Sequence, residues 1–377
     1  MNHVLLVSDQ PMPNFLPILN ESIKPQTVTL VVSDRMRNRA EWLKAEITKH
    51  QVEVIPDICI GEDVSDILAI QNALLGWADA NVELMSRSFL NVTGGTKPMA
   101  IAAQEVFRMA DRPVFYVDVA TDRVTWLHSG EGTKATEVLE KQPTLKQFFG
   151  LNGITLMEGD FKSNLDNEKW RHFYAEIATN PKKWALAIRG LNRIAAEAFE
   201  CNRLDFDVPQ DILINSCWNE MSEFLHADEL VCYSNGGTCR ERFCTPEARR
   251  FCNGIWLEHY VFEVLKSFGF DRNRALMNVK IVDARGNENE LDAVVLHKNT
   301  CYVIEDKTRN MRRDGVADAA VYKLAQLSSQ MGLRAKGILV SASGVRAADR
   351  ERARAYGVEV FDWLPDLKAC LKRIFAN

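Results

Sequence analysis

The sequence predicts an α/β chain with a sheet domain at each end and a helical connector between them. Three observations carry that reading. Over residues 1–150, short runs rich in β-branched residues alternate with amphipathic stretches at helical spacing, the pattern of a doubly wound, Rossmann-like sheet. Over residues 151–228 the spacing is helical, with Pro181 and Pro209 as breaks. Over residues 229–377 two neighbouring apolar runs carry isolated acids and are followed by a helix and a further strand, again an α/β pattern.

In the first segment, residues 3–8, 28–33 and 88–92 read as strands and residues 35–50, 63–79 and 97–109 as helices. Residues 113–119 and 123–128 then read as a final strand pair. Ligands of such sheets bind outside the carboxyl ends of the strands. One of those ends carries Asn91-Val92-Thr93-Gly94-Gly95-Thr96-Lys97-Pro98, where a strand meets a helix with proline just inside its start. Gly94 and Gly95 bare backbone amides at the positive end of the helix dipole, and Thr93, Thr96 and Lys97 add donors suited to a phosphate. Read alone, the turn is equally a tight strand-to-helix connection. Ser8 and Gln10, after the first strand, border the same crevice by position.

In the connector, residues 170–179, 182–199 and 211–225 have helical spacing, compatible with a plain helical linker or a winged-helix-like module. Residues 229–244 read as a hairpin turning at Gly236-Gly237. Thr245-Pro246-Glu247 then opens a helix with an N-cap, a proline at its first position and an early acid. Leu257, Val261, Val264 and Leu265 form its apolar stripe. Gly254 and Glu258 are four apart on one face, so the glycine admits a close neighbour beside Glu258. Glu258 is equally readable as a site acid or as a solvated helix charge.

The chemistry concentrates in Glu290-Leu291-Asp292 and Tyr302-Val303-Ile304-Glu305-Asp306-Lys307-Thr308. Residues 291–296 and 301–304 read as a hairpin with residues 297–300 as its loop. If Leu296 pairs with Cys301, Asp292 stands opposite Glu305, with Cβ atoms about 4.5–5.5 Å apart on one face. Two carboxylates so placed can share a divalent ion. Lys307, two residues beyond Glu305, projects to the same side, whereas Asp306 turns away and offers its backbone carbonyl. Hard oxygen ligands for Mg²⁺ or Mn²⁺ beside an ammonium are what phosphodiester hydrolysis requires. The alternative is a solvent-facing hairpin with surface charges, which isolated acids inside apolar runs make the poorer reading. Beyond it lie the basic loop Arg309-Asn310-Met311-Arg312-Arg313, a helix over 317–331 and a strand over 336–340. Tyr322 and Lys323 on that helix could reach a phosphate, or are simply helix surface.

Composition excludes several classes. No apolar run reaches membrane-span length, and the start reads as a strand rather than a signal sequence, so a cytoplasmic protein is expected. Nine cysteines without a CxxC pair fit free thiols. The cluster Cys232, Cys239, Cys244, Cys252 with His226 is spaced too loosely for structural zinc. Net charge is −5 overall, −5 over residues 1–150 and +4 over residues 254–377, compatible with a polyanionic substrate of the carboxyl domain. A dehydrogenase is excluded by the missing GxGxxG.

Asp292 followed by Glu305-Asp306-Lys307 resembles the PD-(D/E)XK nuclease superfamily, without the Pro-Asp pair of its name. The amino-terminal domain with its Thr-Gly-Gly-Thr-Lys turn resembles the CARF domain. Their union, with Thr245 to Arg250, Glu258 and Tyr322-Lys323-Leu324 in order, resembles the CRISPR-associated CARF nucleases of the Card/Can group over nearly the whole chain. The resemblance implies a restriction-endonuclease-like carboxyl domain and a homodimer whose paired CARF domains bind a cyclic oligoadenylate, most often the tetra-adenylate. It also implies Mn²⁺- or Mg²⁺-dependent cleavage of DNA, RNA or both, with Asp292, Glu305 and the Asp306 carbonyl on the ion and Lys307 assisting the water. Gly94, Gly95, Thr96 and Lys97 would hold the ring's phosphates, and Glu258 a second ion or water. A constitutive repair nuclease and a non-catalytic nucleotide sensor remain the competing classes.

Overall fold

Two mixed sheets, one near each end of the chain, organise the fold. The computed structural model describes residues 1–130, 135–161, 168–215, 217–234, 241–312 and 315–375. The first sheet comprises β1 (Asn2–Leu6), β2 (Thr27–Val32), β3 (Glu53–Cys59), β4 (Ser88–Asn91), β5 (Val114–Asp118), β6 (Arg123–His128) and β7 (Glu137–Val138). Their order is β3-β2-β1-β4-β5-β6-β7, parallel through β5 and antiparallel beyond. The order reverses between β1 and β4, which makes their carboxyl ends the switch point where a ligand crevice opens.

A helix packed on this sheet and its edge strand β3 are absent from the periodicity reading, and both contain proline. Helix Met12–Leu19 is buried along its whole length although Pro17 lies inside it. Pro17 has no N–H to offer the Pro13 carbonyl one turn earlier. Asn91 Nδ2 supplies that bond instead at 2.9 Å, and Asn14 Nδ2 donates to Leu6 O at 2.8 Å. The sheet therefore caps the backbone defect of its own helix. Strand β3 contains Pro56, tolerated because β3 is an edge strand with a register shift against β2.

Strand β8 (Thr155–Asp160) starts the second sheet, so part of the expected connector belongs to it. Helices Glu168–Thr179, Pro181–Glu200, Gln210–Asn215 and Trp218–Ala227 follow. The expected single helix over 211–225 is thus two. A small sheet of β9 (Asp205–Phe206), β10 (Val231–Tyr233) and β11 (Glu241–Phe243) includes the expected hairpin, with Val231 opposite Phe243; its Gly236-Gly237 turn and Cys239 lie outside the described residues. The remaining thiols are free, and Cys232 and Cys244 hydrogen-bond each other. Strands β12 (Ala275–Val282), β13 (Glu288–His297), β14 (Thr300–Lys307), β15 (Ala335–Ser341) and β16 (Val358–Phe361) complete the second sheet in the order β16-β15-β14-β13-β12-β8.

The two sheets share one hydrophobic core, in which Leu5, Leu30 and Phe115 belong to the same cluster as Val294, Val303 and Leu339. Helix Leu145–Leu151 enters this core through buried Leu145, Phe148, Phe149 and Leu151. Each such side chain contributes about 1.5–3 kcal/mol by burial. Among the described residues no helix is long and apolar enough to cross a membrane.

Asn91→Ala should leave the Pro13 carbonyl buried without a partner and destabilise the protein by about 1–3 kcal/mol. A urea midpoint unchanged at constant slope would show that the Asn91 amide does not compensate the proline.

Candidate active site and ligand cleft

The hairpin register is the one the apolar pattern predicts. Leu296 pairs with Cys301 and Ala293 with Ile304, which brings Asp292 level with Glu305. The turn is tighter than expected, because His297 pairs with Thr300 and only Lys298 and Asn299 remain in the loop. Both have positive φ (46° and 57°), as a two-residue hairpin turn of this hand requires.

Lys307 Nζ lies 2.6 Å from Glu305 Oε1 and 3.7 Å from Asp292 Oδ2. It also donates to the Asp306 carbonyl at 3.2 Å. The Asp306 N–H donates to Asp292 Oδ2 at 2.6 Å, fixing the carboxylate across the strand pair. A second cation, Lys323 on helix Val316–Gln330, donates to Glu305 Oε1 at 3.3 Å. Glu258, Glu305, Asp306, Lys307 and Lys323 line a cavity of about 570 Å³; Asp292 lies off its wall, beyond Lys307. The segment after β14 is a loop, in which Arg309 lines the cavity and Met311 is fully buried, its N–H donating to Ser343 Oγ; Arg313 lies outside the described residues.

Helix Pro246–Arg250 is capped by the Thr245 hydroxyl, which accepts from the Ala248 N–H. Gly254 is not an ordinary interior glycine. The helical path breaks there at φ 121°, and a Cβ would fall 2.6 Å from Thr308 Oγ1. The break seats the side chain that follows Lys307 and lets helix Trp256–Lys266 present Glu258 to the cavity.

The electrostatics are those of crowded acids. Burial first, then Asp292, push the Glu258 carboxyl up to about 8. Burial and Glu305 raise Asp292, and burial together with Asp292 and Glu258 raises Asp306 well above the carboxylate range. Burial alone would lower the Lys307 ammonium, but Asp292 and Glu305 outweigh it and hold its pKa above the ordinary value. Both Asp306 carboxylate oxygens are buried without a partner among the described residues. Among those residues no three His, Cys, Asp or Glu converge closely enough to hold an ion. The donor set is nevertheless hard oxygen with surplus negative charge, and Mg²⁺ needs only one or two carboxylates when water and a phosphate complete its shell.

The second site lies at the switch point of the first sheet. A cleft of about 670 Å³ is lined by Ser8, Gln10, Thr93, Gly95 and Thr96 of the expected set. Thr93 accepts from the Val117 N–H at 2.7 Å and donates to Asn91 Oδ1 at 2.7 Å, holding the end of β4 to β5. Gly94 and Lys97 do not line the cleft. Gly94 is buried against β1, where a Cβ would meet Leu6 O at 2.0 Å, and Lys97 is exposed at the first helical position. Arg35, Tyr116, Leu333 and Arg334 line it unforeseen. Leu333 and Arg334 come from the carboxyl half, just after the helix that carries Lys323. Arg334 donates through Nε to Asn299 O at 3.1 Å and through Nη2 to Lys298 O at 3.3 Å, while Asn299 Nδ2 donates to Asp122 Oδ1 at 2.6 Å. The hairpin turn of β13 and β14 is thereby bolted to the β5–β6 turn beside the cleft.

Fold and site define a class, an α/β domain with a cleft at its switch point joined to a second domain that carries a carboxylate–lysine centre. Residues 2–147 match the Card1 CARF domain family and residues 245–377 the Card1-like endonuclease domain family. The chain is similar to Can2 from Sulfobacillus thermosulfidooxidans, solved in complex with cyclic tetra-adenylate (TM-score 0.80, 27% identity, 99% of this chain and 96% of that one). It shares its fold with protein VC1899 from Vibrio cholerae (TM-score 0.86, 24% identity, 99% and 97% covered). It also shares fold with a type III CRISPR defence DNA nuclease activated by cyclic oligoadenylate (TM-score 0.55, 18% identity), spanning 52% of that longer chain. No curated protein sequence matches significantly. The chain belongs to the CRISPR CARF-domain effectors that carry a Card1-like endonuclease domain.

Because the folded Glu258 carboxyl keeps its proton up to about 8 while an unfolded one loses it near 4.5, the native state loses stability relative to the unfolded one as pH rises through that interval. Glu258→Gln should therefore gain in Tm over the wild type by a few degrees between pH 5 and pH 8 without divalent ions. A constant Tm difference across that range would show that Glu258 is ordinarily ionised.

Proposed function

We propose that this effector is a metal-dependent nuclease that hydrolyses phosphodiester bonds of DNA, RNA or both. Its activator would be a cyclic oligoadenylate, first the tetra-adenylate, bound by the amino-terminal clefts of a homodimer. The observation that carries the nuclease part is the Asp292–Glu305–Lys307 arrangement on paired strands, with Lys323 on the open side. Can2, solved with cyclic tetra-adenylate, supports the activator. A two-fold ligand read by a two-fold dimer would couple binding to both nuclease domains, provided it favours the active arrangement.

Asp292, Glu305 and the Asp306 carbonyl would hold Mn²⁺ or Mg²⁺, which when bound polarises a phosphate and lowers the pKa of a water. Lys307, which bridges Glu305 and Asp292, would be released by neutralisation of their charge to place its ammonium toward the phosphate or its attacking water. Lys323 and Arg309 orient the phosphate at the cavity mouth. Glu258, neutral near pH 7, can donate a hydrogen bond or take a proton as chemistry proceeds. Arg334 would report the filled cleft to β14, because it touches both the ligand space and the turn that begins that strand.

Labelled single-stranded DNA, single-stranded RNA and supercoiled plasmid, incubated in Mn²⁺ with and without cyclic tetra-adenylate, test this reading. Cleavage should require the ligand and fall at least a hundredfold in Glu305→Ala. Cleavage by metal alone would mark a constitutive processing nuclease. No cleavage of any substrate, even with cyclic hexa-adenylate, would leave a nucleotide sensor.

Arg334→Ala should raise the ligand concentration needed for half-maximal cleavage by about tenfold or more, the loss of one charge-assisted contact. An unchanged activation curve would remove Arg334 from the pathway.

A further inference from the structure

A second groove, of about 450 Å³, runs beside the catalytic cavity, and Thr308 lines both. One wall is helix Pro181–Glu200, which contributes Lys182 and Arg189; the other contributes Arg312 and Trp363. Trp363 is 41% exposed, unusual for an indole beside a deep groove. Lys182 Nζ stands 5.2 Å from the centroid of that ring. Arg312 lies over Gly344, where a Cβ would come within 2.7 Å of its Nη2, so its guanidinium is held against the groove wall. Arg189 donates from Nε to its own helix at Ala185 O, 3.2 Å away. Among the described residues none of these three cations has an ion pair. The single acid on the lining, Asp362, is already engaged by Arg350 and by the Val345 N–H.

Three unneutralised cations around an exposed aromatic face, continuous with a phosphodiester-cleaving centre, have the chemistry of a strand-binding channel. Cations follow the phosphates, and the indole stacks a base regardless of its identity. A duplex keeps its bases stacked inward and must unstack or flip one, at a cost of about a few kcal/mol, before a side-chain ring can stack on it. We infer that this groove is a subsite for the unpaired nucleotides flanking the scissile bond, with Trp363 as its base-stacking residue and Lys182, Arg189 and Arg312 as its phosphate contacts. The inference rests on the nuclease reading above, and it gives helix Pro181–Glu200 a role in substrate binding.

Two measurements separate the subsite from the centre, both with full-length protein and cyclic tetra-adenylate present. Fluorescence anisotropy of a labelled single strand of roughly 12 nucleotides, titrated in Ca²⁺, reads strand binding. Hydrolysis of bis(p-nitrophenyl) phosphate in Mn²⁺, a diester too small to span the groove, reads the centre. Trp363→Ala should weaken strand affinity about tenfold, the size of one lost base–aromatic stack, and Trp363→Phe should restore most of it. Lys182→Glu with Arg189→Glu should add a loss that shrinks as salt rises. The diester rate should stay at the wild-type value in all these variants. Strand affinity unchanged in Trp363→Ala, or an equal loss on a blunt duplex, would overturn the subsite. Wild-type protein that binds strand with these dependences but hydrolyses no diester would uphold the groove and sink the nuclease reading; diester hydrolysis with unaffected strand binding would do the reverse.

Discussion

Four carboxylates gathered round one ammonium set the terms for the carboxyl domain. Burying an ionised acid is costly unless it is paired. Here Lys307 pairs with Glu305 and Asp292, and Lys323 with Glu305, while both Asp306 carboxylate oxygens are buried without a partner among the described residues. Burial and mutual repulsion raise the pKa of Asp292, Asp306 and Glu258. A protein selected for stability alone would place apolar residues here, since β14 is otherwise buried and β-branched. The unrelieved charge is intelligible as a site waiting for a cation and an anionic substrate, and strained electrostatics of this kind cluster where function demands them.

That charged centre is mechanically close to the ligand cleft because β14 is short. Its first residue, Thr300, follows the turn that Arg334 and Asp122 hold, and its last, Lys307, is the catalytic candidate. Helix Val316–Gln330 spans the same distance in the opposite direction, from Lys323 at Glu305 back to the loop that delivers Leu333 and Arg334 to the cleft. Two rigid elements thus connect the sites, and each ends on a polar contact rather than on packed hydrocarbon. Polar contacts with alternative partners can exchange at little cost, whereas the interlocked core between the sheets cannot.

What could be read from the residues follows a physical line. The β13–β14 register was legible because one apolar run of each strand faces a core, and a slip of one would have turned every side chain over. The capped start at Thr245 and the helix at Lys97 were legible from local hydrogen-bonding chemistry. Helix Met12–Leu19 and β3 were hidden because Pro17 and Pro56 argue against them locally, and only Asn91 and an edge position, both non-local, reverse the argument. The acids of the site could be named because they interrupt apolar strands. Lys323 could be named only as a helix residue able to reach a phosphate, and its contact with Glu305 came from the fold; Arg334 gave no signal, since an arginine in a loop looks like a solvated charge until the fold sets it beside the cleft. Gly94 erred the other way, its lack of a side chain serving the approach of β1 and not a ligand.

The shared core also limits how a ligand signal can travel. Parting the two sheets would expose Leu145, Phe148, Phe149 and Leu151 together, at about 1.5–3 kcal/mol each. A ligand can shift an equilibrium only by its differential affinity for the two states, typically about 1–3 kcal/mol of coupling. Separation of the domains within one chain is therefore too expensive to be the activating motion. Rearrangement at the Lys298–Asn299 turn and the Arg334 contacts costs only hydrogen bonds that can be remade, about 0.5–1.5 kcal/mol apiece. On the proposed activation, the switch would lie in the polar seam between cleft and hairpin, where a displacement small enough for a ligand to drive could pass along β14 to the carboxylates at its end.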